Sequence, residues 1–391
     1  MHWLKQKLQQ IKAAGLERKL KLVSGRSAVA TVIDGKESIN FSGNDYLGLA
    51  DDPEIAAALI AAVKKYGVGS GASHLVTGHN CEHQLLEEEL AEFLGRDRAL
   101  LFSSGYMANN GIIPALVSAK GAVFQDRLNH ASLIDGAKLS GAKMVRYAHG
   151  DVDHLQKRYL SLKEGIAQES IVVTDGVFSM DGDIAPLLQL AQFARDKNLP
   201  LMVDDAHGLG VIGRSGRGSV DSFGLGQADV PVLMGTLGKA FGVYGAFIAG
   251  EHDLIEYLLQ TARTYMFTTA LPPSVAAATR AALKKVITDE WRRQQLTDLI
   301  AYLKESAAEE NIELLASSTP IQPLLIGDSS RAVAISQALA DQGLIVSAIR
   351  PPTVPEGTAR LRITISATHT REHIDRLISA IKTVYKADQN G

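Results

Sequence analysis

Leu201-Met202-Val203-Asp204-Asp205-Ala206-His207-Gly208 is the stretch that decides how this chain folds. Three apolar residues without a polar break read as a strand buried on both faces, the kind found in parallel sheets. Two acids follow at once, and a pair of carboxylates does not sit on a dry face without partners. Ligands bind at the carboxyl ends of strands in open parallel sheets, which makes Asp204 and His207 candidates for a site. The competing reading is a plain capping or turn role for this segment.

The same pattern repeats outward in both directions. Residues 99–102, 122–124, 144–145, 171–173, 230–234 and 245–249 are short apolar runs, and 106–117, 131–139, 152–162 and 185–194 carry helical spacing. Such alternation predicts an α/β fold with a large, mainly parallel sheet covered on both faces. From residue 274 to about 310 the chain, rich in Ala, Leu, Lys and Glu, reads as helix. Strands at 321–326, 344–349 and 361–365, with helices at 332–341 and 371–385, then predict a smaller C-terminal α/β domain. The expected division is an N-terminal helix and arm over 1–45, a large domain over 46–285 and a small domain over 286–391.

Composition bounds what the chain does. With 391 residues, 46% of them hydrophobic, a real core is available and a disordered chain is excluded. A net charge of −3 leaves no excess of Lys and Arg to track phosphates, so nucleic acid is not an expected partner. Cys81 is the single cysteine, which rules out an internal disulfide and a cysteine zinc cage and points to a reducing, cytoplasmic location. Residues 1–10 lack the apolar run of a signal peptide and instead predict an amphipathic helix with Leu4, Leu8 and Ile11 on one face. No run of 18 apolar residues occurs, so no membrane partner is expected.

Some motifs compete for attention and fail on context. Gly208-Leu209-Gly210-Val211-Ile212-Gly213 matches a dinucleotide fingerprint, but a loop follows it where the pyrophosphate needs a helix start. Gly67-Val68-Gly69-Ser70-Gly71-Ala72 follows a helix rather than a strand. His74, His79, Cys81 and His83 cluster in sequence, yet no carboxylate stands at a ligand spacing and Leu86, Leu90, Phe93 and Leu94 continue as core, so no metal is expected.

Two further strand ends matter. Gly235-Thr236-Leu237-Gly238-Lys239 places a lysine between glycines just past an apolar run, where a desolvated amine can form a Schiff base. Ser103-Ser104-Gly105-Tyr106 opens a helix after a strand, and the amides there suit a phosphate. Each has a bland alternative, a surface turn for the first and a simple Ser104 cap for the second. Together an acid, a lysine and a phosphate cradle are the parts that a pyridoxal 5′-phosphate (PLP) site needs.

These segments, with Asn44-Asp45-Tyr46-Leu47-Gly48, Asn129-His130-Ala131-Ser132 and Gly176-Val177-Phe178-Ser179-Met180-Asp181-Gly182, resemble the α-oxoamine synthases along nearly the whole chain. Those are fold-type I PLP-dependent transferases that join an amino acid to an acyl thioester with loss of carbon dioxide. Within the family, Ile349-Arg350-Pro351-Pro352-Thr353-Val354-Pro355 and Thr358-Ala359-Arg360-Leu361-Arg362-Ile363 look most like the members that use L-alanine and a pimeloyl thioester in biotin synthesis. A glycine-using relative and a non-enzymatic PLP-fold binding protein stay open as alternatives, though Lys239 speaks against the second. The chain departs from many relatives at Ala72 and His74, near the substrate loop.

The resemblance implies roles for individual residues. Lys239 holds the cofactor aldehyde and moves the α-proton, Asp204 pairs with the pyridine nitrogen, and His207 with Ser179 meets the ring hydroxyl. His130 stacks on the ring and donates to the attacked carbonyl. Gly105, Tyr106 and Thr236 hold the phosphate, with Thr268 reaching it from a partner subunit. Arg362 takes the amino-acid carboxylate, Thr353 and Arg18 contact substrate, and Asn44 contributes at the subunit interface. The implied partners are the amino acid, the acyl thioester on coenzyme A or acyl carrier protein, and a second copy in a homodimer.

Overall fold

The computed structural model describes residues 1–13, 16–26, 28–162 and 169–389. In chain order its strands are β1 (Ala30–Ile33), β2 (Lys36–Asn40), β3 (Arg98–Phe102), β4 (Ala122–Asp126), β5 (Lys143–Tyr147), β6 (Ile171–Asp175) and β7 (Leu201–Asp204). There follow β8 (Val232–Thr236), β9 (Ala246–Gly250), β10 (Ile321–Gly327), β11 (Leu344–Ile345), β12 (Ser347–Ile349) and β13 (Ala359–Thr364).

Seven strands form the large sheet in the order β3-β9-β8-β7-β6-β4-β5. The run from β5 to β8 is parallel, while β9 lies antiparallel to both β3 and β8. All seven fall on the short apolar runs. Every residue of β4, β6, β7 and β9 is buried, which explains why their sequences show no alternation. The two faces are still distinct. Val172 packs with Phe124 and Leu190, whereas its neighbour Val173 packs with Ile112 and Leu133 on the other side.

Helices Gly105–Leu116, Ala131–Ser140 and Leu187–Asp196 cover these faces near their predicted positions. A third apolar cluster runs from Leu86, Leu90 and Phe247 through Leu283 and Leu299 to Ile363 and Ile374, so the large and small sheets share one continuous core. The single helix predicted over 274–310 is instead two, Pro273–Thr288 and Glu290–Glu309. Asp289 leaves helical geometry at the break, and its carboxylate takes hydrogen bonds from Thr288 and Arg292.

The strand predicted over 344–349 also divides. Leu344–Ile345 pairs parallel with β2 in a sheet ordered β1-β2-β11, while Ser347–Ile349 pairs antiparallel with β13 in a sheet ordered β10-β13-β12. An apolar run shows that a strand forms there but not which edge it meets. The N-terminal strands thereby take a strand from the C-terminal part of the chain. Helix His2–Ala13 forms as expected, with Leu4, Leu8 and Ile11 exposed at 37%, 64% and 43%. Among the described residues no helix is long and apolar enough to cross a membrane.

Candidate active site

The parallel strands end side by side, and polar residues begin where their apolar runs stop. Asp175 closes β6 and stands in register with Asp204 at the end of β7; Thr236 closes β8, three residues before Lys239. Asp204 is only 3% exposed. Its Oδ2 accepts from Asn109 Nδ2 at 2.7 Å and its Oδ1 from the Ala206 N–H at 3.1 Å. Both donors are neutral.

Asp205 points the other way. Its oxygens accept from the Ser219 N–H and hydroxyl, each at 2.7 Å. Gly176, Gly208 and Gly218 crowd this carboxylate so closely that a Cβ on Gly218 would lie 2.0 Å from Oδ2. Burial pushes the Asp205 carboxyl up to about 7 against the two Ser219 bonds. The two neighbouring acids therefore have different work: Asp205 ties loops together, and Asp204 faces the site.

Lys239 is half-buried. Burial lowers its amine to about 8, and the nearby Asp204 and Asp175 carboxylates keep it from falling further. His207 is buried, and its Nδ1 shares a 2.6 Å hydrogen bond with the Tyr46 hydroxyl. Burial, then the charges of Lys239 and Arg362, hold the His207 ring well below the usual range, so it is neutral. Burial likewise raises Tyr46, with Arg362 opposing.

Arg362 enters from β13. Its Nε donates to the Ser179 carbonyl at 2.6 Å, and its two terminal nitrogens donate to Thr364 Oγ1 at 3.0 Å and Asn44 Oδ1 at 3.1 Å. Of its five N–H groups at least one has no partner among the described residues. Asn44 thus meets Arg362 of its own chain. A cavity of about 300 Å3 lined by Asn44, Gly238 and Thr364 opens beside them.

His130 caps helix Ala131–Ser140, and its backbone N–H donates to Asp175 Oδ2 at 2.7 Å. The residue is exposed at the mouth of the cluster, but Nδ1 turns inward to Ser132 Oγ at 2.7 Å. Loss of water at the ring holds its pKa below the ordinary value. Asp175 is itself pushed well up, by burial and then by Asp204.

Gly105 begins helix Gly105–Leu116, with Ser104 Oγ accepting from the Met107 N–H at 3.3 Å. The first amides of a helix have no partner within it. A Cβ on Gly105 would stand 2.7 Å from Thr236 Cγ2, so the helix start and the β8 end close on each other. Tyr106 is half-exposed and its hydroxyl bonds Asp135. Thr268 follows the short helix Arg263–Met266, which is fastened to the Gly105 helix by Thr264 Oγ1 donating to the Met107 carbonyl at 2.7 Å. Ser179 brings its carbonyl to the cluster through Arg362.

Arg18 and Thr353 lie outside this group. Both are exposed and flank Arg350, which donates to the Glu17 carbonyl at 3.0 Å and accepts from the Thr353 N–H at 3.1 Å. His74, His79 and His83 do come together, with ring nitrogens within 4.8 Å of one another. His83 is nevertheless committed on both sides: Nδ1 accepts from the Asn80 N–H at 2.9 Å and Nε2 donates to the Leu271 carbonyl at 2.7 Å.

Tyr46, Asn109, Ser132 and Asp175 were not found from sequence. Asp175 carried the signal, since it follows Ile171-Val172-Val173-Thr174 much as Asp204 follows its own strand. Ser132 stands in the segment 129–132 that carries the resemblance but has no role assigned by it, and Asn109 lies in a helix without a distinguishing pattern.

The constellation fits PLP. A buried carboxylate served only by neutral donors suits a cationic ring nitrogen. A depressed lysine amine suits an aldehyde, and a helix start closed against a strand end suits a phosphate.

Residues 36–381 match the model of the aminotransferase class I and II family. The chain is 53% identical to the 8-amino-7-oxononanoate synthase of Nitrosococcus oceani, over 96% of this chain and 99% of that one. It is 54% identical to the enzyme of the same name from Methylococcus capsulatus, over 96% of each. Among solved structures, serine palmitoyltransferase from S. paucimobilis with bound PLP–myriocin aligns at a TM-score of 0.92 and 32% identity, covering 98% of this chain and 97% of its own. The 8-amino-7-oxononanoate synthase of Francisella tularensis aligns at 0.79 and 34%, covering 90% and 99%.

Proposed function

The chain belongs to the aminotransferase class I and II family, and we propose that it joins L-alanine to a pimeloyl thioester in biotin synthesis. Carbon dioxide and the free thiol leave, and 8-amino-7-oxononanoate is the product. The observation that carries this reading is the meeting of Asp204 and Lys239 at neighbouring strand ends, beside the helix start at Gly105.

When bound, PLP supplies an aldehyde for amino groups and a ring that spreads charge away from the α-carbon. Lys239 Nζ would hold the aldehyde carbon, and the same amine would take up the α-proton of alanine. An amine near 8 is poised for that transfer. Asp204 keeps a proton on the ring nitrogen. His207, neutral, meets the ring hydroxyl together with Ser179. The Gly105 and Tyr106 amides and Thr236 hold the phosphate, with Thr268 arriving from a second copy. The spare N–H of Arg362, steadied by Asn44, takes the alanine carboxylate. His130 would lie against the ring and donate to the thioester carbonyl as charge builds on its oxygen. Arg18 and Thr353 guide the acyl chain past Arg350.

Coenzyme A or acyl carrier protein delivers the acyl group, and two copies pair as a homodimer. The exposed apolar face of helix His2–Ala13 supports the pairing. The lone cysteine supports a cytoplasmic setting.

The test is to mix purified protein and PLP with L-alanine, glycine or L-serine against a panel of acyl thioesters, and to identify products by mass spectrometry. 8-Amino-7-oxononanoate from alanine and a pimeloyl thioester is the expected result. Product from glycine or serine alone would overturn the reading.

A further inference from the structure

Asn109 touches two parts of the site and has no role in the reaction as described. Its side-chain nitrogen carries two hydrogens and finds two acceptors, Asp204 Oδ2 at 2.7 Å and Ser132 Oγ at 2.8 Å. An ionised carboxylate only accepts, so Asp204 dictates which end of the amide is nitrogen. The amide oxygen has no partner among the described residues, and the nitrogen alone sets the orientation. Ser132 Oγ lies 2.7 Å from His130 Nδ1. The Ser132 backbone N–H points at the same ring nitrogen at 3.3 Å. That backbone N–H requires a lone pair on Nδ1, so the single proton of the neutral ring sits on Nε2 and the Ser132 hydroxyl turns to donate to Nδ1.

From this chain of contacts we propose that Asn109 and Ser132 are positioning residues that hold His130 as an Nε2–H donor toward the reacting carbonyl and tie that orientation to Asp204. The proposal rests on the reading that places His130 over the cofactor. The opposite tautomer would present a lone pair to an oxygen gaining negative charge, and no hydrogen bond would form. A doubly protonated ring would set Nδ1–H against the Ser132 backbone N–H, so that contact favours a neutral His130. Desolvation of the ring and the charge of Lys239 act in that direction too, with Asp204 and Asp135 opposing. One amide thus joins the Asp204 carboxylate, through Ser132, to the His130 imidazole.

Nitrogen-15 histidine spectra of the PLP-loaded protein test this directly, with His130 assigned by its absence in His130→Asn. The wild type is expected to show the Nε2–H form alone. Ser132→Ala and Asn109→Leu are expected to show mixed tautomers and a kcat about tenfold lower, with KM for alanine within about twofold. Ser132→Thr, which keeps the hydroxyl, should restore both. If Asn109→Leu does not fold, Ser132→Ala, which deletes one oxygen, decides alone. A wild-type proton on Nδ1, or a Ser132→Ala spectrum identical to wild type, overturns the proposal. Unchanged kcat and cofactor absorbance in His130→Asn instead remove the placement of His130 over the ring, and the role proposed for its proton with it.

Discussion

Around Asp204 the polar atoms are buried and matched nearly one to one, whereas along residues 1–26 apolar side chains stand exposed beside a dense positive charge. Asp204, Asp205 and His207 are each at most 6% exposed, and each is held by named hydrogen bonds. The arm carries seven Lys and Arg against one Glu, a net +6 in a chain whose total is −3. Leu8, Leu20 and Leu22 in it are 64%, 100% and 70% exposed. Buried polar groups are costly unless paired, so the strand-end cluster tolerates little change. An exposed amphipathic segment has few contacts to lose, and its sequence is answerable to whatever covers it.

The largest effect expected from that contrast is at Lys239. Lys239→Ala should lower turnover by about 10³-fold or more, as loss of both anchor and base requires, while the protein still takes up PLP by absorbance after gel filtration. A near-normal rate would break the picture of a committed cluster. Next comes Gly218, with φ at 96° and its Cα hydrogen turned onto Asp205. Gly218→Ala should cost about 3 kcal/mol in denaturant unfolding, because both the backbone and the carboxylate must move.

His149 tests the same principle through pH. Its ring bridges Asp126 Oδ1 at 3.1 Å and Asp183 Oδ2 at 2.9 Å. Burial works against the charge, but the two carboxylates prevail and raise its pKa to about 10. A raised folded-state pKa means that the stabilisation is complete below the unfolded value of about 6.5. It declines above that and is gone once pH passes the folded value near 10. His149→Gln should therefore lose about 2 kcal/mol at pH 6 and much less at pH 10, read from denaturant midpoints. An equal loss at both would detach the ring from its charge.

The smallest effect on folding is expected in the arm. Leu8→Lys should change unfolding free energy by less than about 0.5 kcal/mol and yet weaken pairing of two copies in sedimentation experiments. Unchanged pairing would remove the arm from the interface and sharpen the contrast to one of burial alone.

Much of this was legible in sequence, and the misses share a cause. The seven strands of the large sheet, Asp204, Lys239 and the Gly105 helix start were readable because each is a local pattern, an apolar run that ends in polar residues. The break at Asp289 was not, since its helical neighbours on both sides mask one residue held by Arg292. Residues 344–349 read as one strand because the run is continuous, although its two halves serve different sheets. Arg18 and Thr353 came from family resemblance and not from a local pattern, and the fold sets both beside Arg350.

The sequence by itself determined the class of fold and pointed to the two residues proposed to carry the chemistry, because short buried strands and the charges at their ends are written contiguously. Only the tertiary structure decided which of two adjacent acids turns toward the strand-end cluster. Asp205 is claimed by Ser219 and enclosed by Gly208 of its own turn and by Gly176 and Gly218 of two other loops, a competition invisible from the dipeptide. Tertiary structure likewise brought Asn109 to Asp204 across 95 residues, and through Ser132 to His130. A hydrogen bond depends on an ångström and an angle between atoms, and the order β4-β6-β7-β8, not the order of the chain, sets those.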